Sequence, residues 1–437
     1  MATARKKVAT EVVLKQPTRA PELIIIAPKG DLILNLYTIV DPDKPKKFIG
    51  QTGTLLTGTI VVKMQVSRQV LEWSTPKFRN LLKGTEAHKI VDMHFNTNSP
   101  HRVFSSSFET LLRVLHNTLI HLSYNRTNEA IWEILHQCKE FDIKCTQQLT
   151  DWFKRVAQGM ALSSLDLLKA RELLTPAYEF NTMIAFAILT KRLAYEWGGH
   201  ITEKSPITSY RTIHLEGNVI AAVNSAGGSL RRLLTDLVMN PGVILLEKHT
   251  CVCREKAYFN HHDALKQAGL YPLWVRNDSE WAPKGNKSIK SVVTSTRFRS
   301  FYCKAPKAAC VDCIRVIKSD EISKAKDVVE ADFQGLCLDC MRKTKTGDIH
   351  EDYWRHAFIG TFAKGCTFRH GSTTWYYSFM GRNKGDLHEF TRARNNLMKD
   401  MKTKTGKDYK PTEEDWEIFR PTLKITGLPL GPKLIGN

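Results

Sequence analysis

The chain has 437 residues, with 64 Lys+Arg against 44 Asp+Glu and hence a formal net charge of +20. Hydrophobic residues make up 42% and charged residues 25%, a globular balance that excludes wholesale disorder and leaves room for two or three domains, each with its own core. No apolar run approaches the ~18–20 residues that span a bilayer, the best being 183–189, and residues 1–10 are basic without the apolar stretch of a secretory signal. The expectation is an intracellular protein, of cytoplasm or nucleus, without a membrane anchor.

In chain order, residues 1–27 read as a loose basic arm. Leu32, Leu34 and Leu36 then alternate as on one face of a strand, and Val62, Met64 and Val66 do the same after a Pro/Lys/Gly-rich stretch, 41–58, read as a long, mobile hairpin connection. Ser67 is placed to cap a short helix. Thr75-Pro76 opens a second, which runs through Phe78 to a stop at Gly84. Val91, Met93 and Phe95 make a third strand. Helical spacing follows in Phe104, Phe108, Leu111, Leu112, Leu115 and Leu119, then in Ile131, Ile134, Leu135 and Cys138, then in Leu149, Trp152, Phe153 and Val156. Residues 159–250 stay helical, with breaks expected at Gly198-Gly199 and Gly227-Gly228. Residues 251–381 are rich in Cys, basic residues and aromatics. The tail, 382–437, carries twelve basic and eight acidic residues and reads as partly disordered.

The fold class expected is α+β: a small sheet with helices over 28–158, a helical region, and a Cys-rich module. Eight of the ten cysteines lie between Cys251 and Cys366, and in a reducing compartment such clustering points to metal before disulfides. The sharpest signal is Cys310-x-x-Cys313 with Cys337-x-x-Cys340, 23 residues apart. Zinc takes four thiolates in a tetrahedron, and each pair supplies two adjacent corners of a closed structural site. Free or buried thiols are the alternative. Two weaker pairs, Cys251-x-Cys253 and Cys366-x₃-His370, can form a second site or replace one pair of the first. His261 and His262 read as surface residues, since neighbours on a helix point about 100° apart. Cys138 and Cys145 read as structural.

The densest charge, residues 283–307, holds seven Lys/Arg and no acid, interleaved with Phe298, Phe301 and Tyr302. Arg297, Arg299, Lys304 and Lys307 are its candidate phosphate contacts, with bases stacking on the aromatics; a merely solvated basic face is the alternative. No G-x-S-x-G elbow, no phosphate-binding G-x₄-G-K-[ST] loop and no H-E-x-x-H occurs, so nothing argues for an enzyme.

Three segments carry a resemblance: Gly30-Asp-Leu-Ile-Leu34, Val66-Ser-Arg-Gln-Val-Leu71, and Ser74-Thr-Pro-Lys-Phe78-Arg-Asn-Leu-Leu82. With the order strand–strand–helix–helix–strand–helices, they resemble the BTB/POZ domain. Gly335-Leu-Cys-Leu-Asp-Cys340, Asp352-Tyr-Trp354 and residues 374–381 extend the likeness to filamentous-fungal BTB proteins with a helical middle and a Cys-rich end. The chain departs from the family in lacking its common His before the first helix, where Gln65-Val66-Ser67 stands, and in the length of 41–58. The resemblance implies a core including Asp31, Leu32, Leu34, Val66, Leu71, Ser74, Phe78 and Leu111. It also implies a non-enzymatic role in homodimerisation or partner recruitment, including as adaptor to a cullin-type ubiquitin ligase. The alternative, from charge and cysteines, is a nuclear nucleic-acid-associated regulator with a zinc-stabilised module.

Overall fold

The computed structural model describes residues 23–38, 47–49, 55–57, 59–85, 89–95, 101–207, 213–215, 217–271, 273, 287–317, 321–339, 399 and 403. Cys340, Cys366 and His370 lie outside these, as do residues 1–22 and nearly all of the polar tail, whereas Leu23–Ile25, expected to belong to the loose arm, form a strand because they pair with Lys63–Gln65. The chain divides into two compact units between Gln148 and Leu149.

The first unit is a mixed sheet with helices. Its strands are β1 (Leu23–Ile25), β2 (Leu32–Thr38), β3 (Lys47–Ile49), β4 (Leu55–Thr57), β5 (Thr59–Val66) and β6 (Ile90–Phe95). The sheet order is β1-β5-β2-β6: β2 runs antiparallel to β5 and parallel to β6, while β1 pairs parallel with β5. Alternation did its work here, because Leu32, Leu34, Leu36, Val62, Met64 and Val66 are all buried. Within the stretch expected to be one long connection, β3 and β4 pair as an antiparallel hairpin.

Between β5 and β6 come α1 (Arg68–Ser74) and α2 (Pro76–Leu82), burying Leu71, Phe78 and Leu82. Thr75 caps α2 by accepting the Phe78 N–H at 3.1 Å, with Pro76 at the first helical position. Ser67 does not cap α1 with its side chain. Asp31 does so instead, its Oδ1 accepting the Arg68 N–H at 2.9 Å. Asp31 is therefore an exposed capping group and not a core residue. Ser74 is half-buried, its hydroxyl donating to the Val70 carbonyl at 2.6 Å. The other six expected core positions are fully buried.

The unit closes with α3 (His101–Leu115) and α4 (Asn128–Glu140), whose inward faces include Phe108, Leu111, Ile131, Trp132 and Leu135. Phe141 stacks on Phe78 at 4.6 Å between ring centroids and touches Phe108 at 5.7 Å, joining α2 to α3.

The second unit is helical. Helix α5 (Gln147–Gly159) sets Trp152 and Phe153 against Phe180. Helices α6 (Leu167–Glu179) and α7 (Met183–Glu196) pair, and α7 packs on the 32-residue α8 (Gly217–Lys248). Gly227-Gly228 lies inside α8 and breaks nothing. A Cβ on Gly227 would sit 3.2 Å from the Ala194 carbonyl oxygen, so the missing side chain lets α8 approach α7 closely. After α8 come α9 (Arg254–Gln267), α10 (Ile289–Val293), α11 (Thr296–Arg299), α12 (Val311–Ile317) and α13 (Glu321–Asp332). The helical and Cys-rich stretches thus fold together, since α9, α12 and α13 all pack on α8 and α10 packs on α7.

No helix of the described residues is long and apolar enough to cross a membrane.

Candidate metal centre

Two chain turns meet at the far end of α8. The first follows Lys248, where Cys251 sits in the turn and Cys253 at the N-cap of α9. The second starts α12, with Cys310 just before it and Cys313 in its first turn. Both turns precede helices, so unpaired N–H groups face the sulfurs. The Cys310 N–H donates to Cys253 Sγ at 3.3 Å, and the Cys313 N–H to Cys310 Sγ at 3.5 Å.

The four sulfurs lie within 4.8 Å of one another. Four of their separations are 3.3 Å (Cys251–Cys313), 3.4 Å (Cys251–Cys253), 3.6 Å (Cys251–Cys310) and 3.8 Å (Cys253–Cys313). A tetrahedral zinc–thiolate centre with bonds of about 2.3 Å has edges of about 3.8 Å, so the residues fit such an ion with small adjustments. All four cysteines are free, far from the ~2.05 Å of a disulfide. The walls are apolar: Leu245, Ala257, Cys303 and Ile317 are buried against the cluster.

Electrostatics point the same way. The Cys313 amide first, and then the neighbouring thiols, pull Cys310 down to about 7. Burial, reinforced by those same thiols, pushes Cys313 far up. Without a cation, one member ionises at the expense of the others. A divalent ion relieves that conflict and accepts all four as thiolates. Four protein sulfurs would leave a tetrahedral ion no open coordination position, which is the arrangement of a structural site rather than a catalytic one.

The pairing differs from the strongest sequence expectation. Cys337 is buried but belongs to a different contact, because residues 333–338 strap onto α7. The Leu336 N–H donates to Thr190 Oγ1 at 2.9 Å, and Gly335, with φ +99°, lies so close that any Cβ would meet the Ala187 carbonyl. That strap draws Cys337 away from Cys310 and Cys313, and the pair Cys251/Cys253 completes the site instead.

The two histidines of α9 also differ from expectation. His261 is fully buried, its ring edge-on to Phe301 at 6.0 Å; burial lowers its pKa, opposed by the Val238 carbonyl. His262 lies tilted against Tyr258, with ring centroids 4.2 Å apart. Neither joins the sulfur cluster, the one metal-competent group among the described residues. Cys138 is buried in α4, whereas Cys145 is exposed. Burial lifts the Cys303 thiol to about 11.

No family model, curated protein or solved structure matches the chain. Its geometry has to speak for itself.

The basic segment is exposed at Arg297, Arg299, Lys304 and Lys307, although Arg299 spends its guanidinium on the Thr294 carbonyl, at 2.7 and 3.1 Å. Of its aromatics, Phe298 is buried and Phe301 half-buried, which leaves Tyr302 outside. Composition reading missed Phe259, exposed on α9. Its signal lay in helical spacing, because Ala257, His261 and Leu265 take the inward face.

Proposed function

We propose that the chain is a non-enzymatic protein-interaction protein, with a BTB/POZ-like docking module in its first unit and a structural zinc held by Cys251, Cys253, Cys310 and Cys313 in its second. The observation that carries the first part is the wiring of the sheet. The resemblance implies strand, strand, two helices, strand, then helices, and β2, β5, α1, α2, β6, α3 and α4 follow in that order, with β2 flanked by β5 and β6. The same unit leaves apolar side chains for a partner: Trp73 of α1 and Leu122 are exposed, with Leu81 of α2 partly so. Self-association and recruitment, including of a cullin, are the roles such a module serves.

Light scattering tests the reading. A mass about twice the 49.8 kDa of one chain is expected at micromolar concentration, falling to one chain in Trp73→Glu. A wild-type mass of one chain, together with no retention of a cullin on the immobilised protein, refutes it. For the metal, elemental analysis of the purified protein should give one zinc per chain, lost in Cys310→Ser and kept in Cys337→Ser. A metal-free wild type refutes the zinc assignment.

A further inference from the structure

Beside the metal centre, α9 and the segment leading into α12 lie against each other and carry exposed groups that neither the docking module nor the zinc explains. Phe259 keeps 61% of its surface exposed and Tyr302 69%, unusual freedom for large aromatics. The two are tied together. Asn260 Nδ2 donates to the Lys304 carbonyl at 3.2 Å, holding the segment that carries Tyr302 against the helix that carries Phe259. On either side of Tyr302, Phe301 packs on His261 and Cys303 is buried, so Tyr302 is held outward by anchored neighbours.

Cations accompany these aromatics. Lys256 Nζ stands 5.3 Å from the centroid of the Phe259 ring, and Lys304 and Lys307 are exposed nearby in the chain. Opposing charge is sparse. Glu255 precedes Phe259 by one turn, Asp263 accepts from Gln267 at 2.6 Å, and Asp312 pairs with Arg315 at 3.5 Å. The described residues from 248 to 317 hold eleven Lys/Arg against these three acids.

We propose that this surface binds single-stranded nucleic acid, with bases stacking on Phe259 and Tyr302 and phosphates held by Lys256, Lys304 and Lys307. An acidic peptide would use the cations but leave the two ring faces wet, whereas a base on a charged backbone uses both. A duplex hides its base faces in the stack, so the single strand is the form that fits. Stacking accepts any base, so recognition here is tolerant of sequence. This assignment draws only on the second unit and stands independently of the docking role of the first.

The test is fluorescence anisotropy of the full chain with a labelled 20-mer of thymidine, across a series of salt concentrations. Binding is expected to weaken steadily with salt. Phe259→Ala and Tyr302→Ala should each weaken it about 5- to 150-fold. Tyr302→Phe should keep it, and Lys304→Ala should flatten the logarithmic salt slope by about 0.7. Unchanged melting and zinc content in each variant separate lost contacts from lost fold. The assignment is overturned by absent binding at low salt, or by a Phe259→Ala/Tyr302→Ala double variant that binds like wild type, which would move the contact to other basic parts of the chain. It is overturned too if polyglutamate displaces the oligonucleotide from wild type and from that double variant alike.

Discussion

The start of α1 depends on two acceptors supplied from elsewhere. Asp31 takes the Arg68 N–H, and His116 Nε2 takes the Ser67 N–H at 3.0 Å. His116 is thereby held neutral, its proton on Nδ1 facing the Leu112 carbonyl at 2.8 Å. Burial lowers its pKa below the ordinary 6.5, against the two backbone hydrogen bonds. A histidine whose folded pKa is depressed contributes stability above the unfolded pKa, and that contribution is lost as pH falls from 6.5 toward the folded value. Wild type should therefore lose its thermal advantage over His116→Gln as the buffer is taken from pH 7.5 to 5. A gap that stays constant across that range would show that His116 does not titrate in the fold. At this scale the sequence revealed the candidate ligands but not their partners. Cys251/Cys253 was visible as a replacement pair, yet nothing in residue spacing discloses that Gly335 straps Cys337 to α7. The same holds for Asp31, where a motif residue that reads as core turns out to cap a helix 37 positions away.

Helices and strands with strong periodicity were legible, and their punctuation was not. Gly227-Gly228 reads as a break because each glycine costs a helix about 1 kcal/mol relative to alanine. The helix continues since tertiary packing uses one of the two: Gly227 is the contact against Ala194, while Gly228 faces open space. The pair should separate cleanly in urea denaturation. Gly227→Leu forces α7 and α8 apart and should destabilise by about 1–3 kcal/mol. Gly228→Ala should stabilise by about 0.5–1 kcal/mol, because it removes only backbone freedom from the unfolded chain. Equal effects at the two positions would contradict the close-approach explanation. The β3–β4 hairpin was missed for the opposite reason: it is two strands of three residues each, too short for any period to register.

For the whole molecule, the cysteine cluster unites what sequence composition had divided into a helical region and a Cys-rich module. Its local core is small, with Leu245, Ala257, Cys303, Cys313 and Ile317 as the buried members. A core of that size would lean on the metal proposed for it. A free-metal concentration a thousand times the dissociation constant stabilises by about 4 kcal/mol, so a chelator in reducing buffer should lower the melting temperature measurably. Cys251→Ser should show the same loss with no further response to chelator. If wild type melts identically with and without chelator, the cysteines are only packing.

The two halves of the centre also arrive at different times. Cys253 and Cys310 are 57 positions apart, so the first pair leaves the ribosome alone. At 5–20 residues per second the second pair follows about 3–11 s later. Throughout that interval the nascent chain carries two thiols and the bare end of α8, with half a coordination shell and no cover for Leu245 or Ala257. Synthesis itself thus opens a brief period in which oxidant or chaperone meets half a site, before Cys310 and Cys313 arrive to complete it.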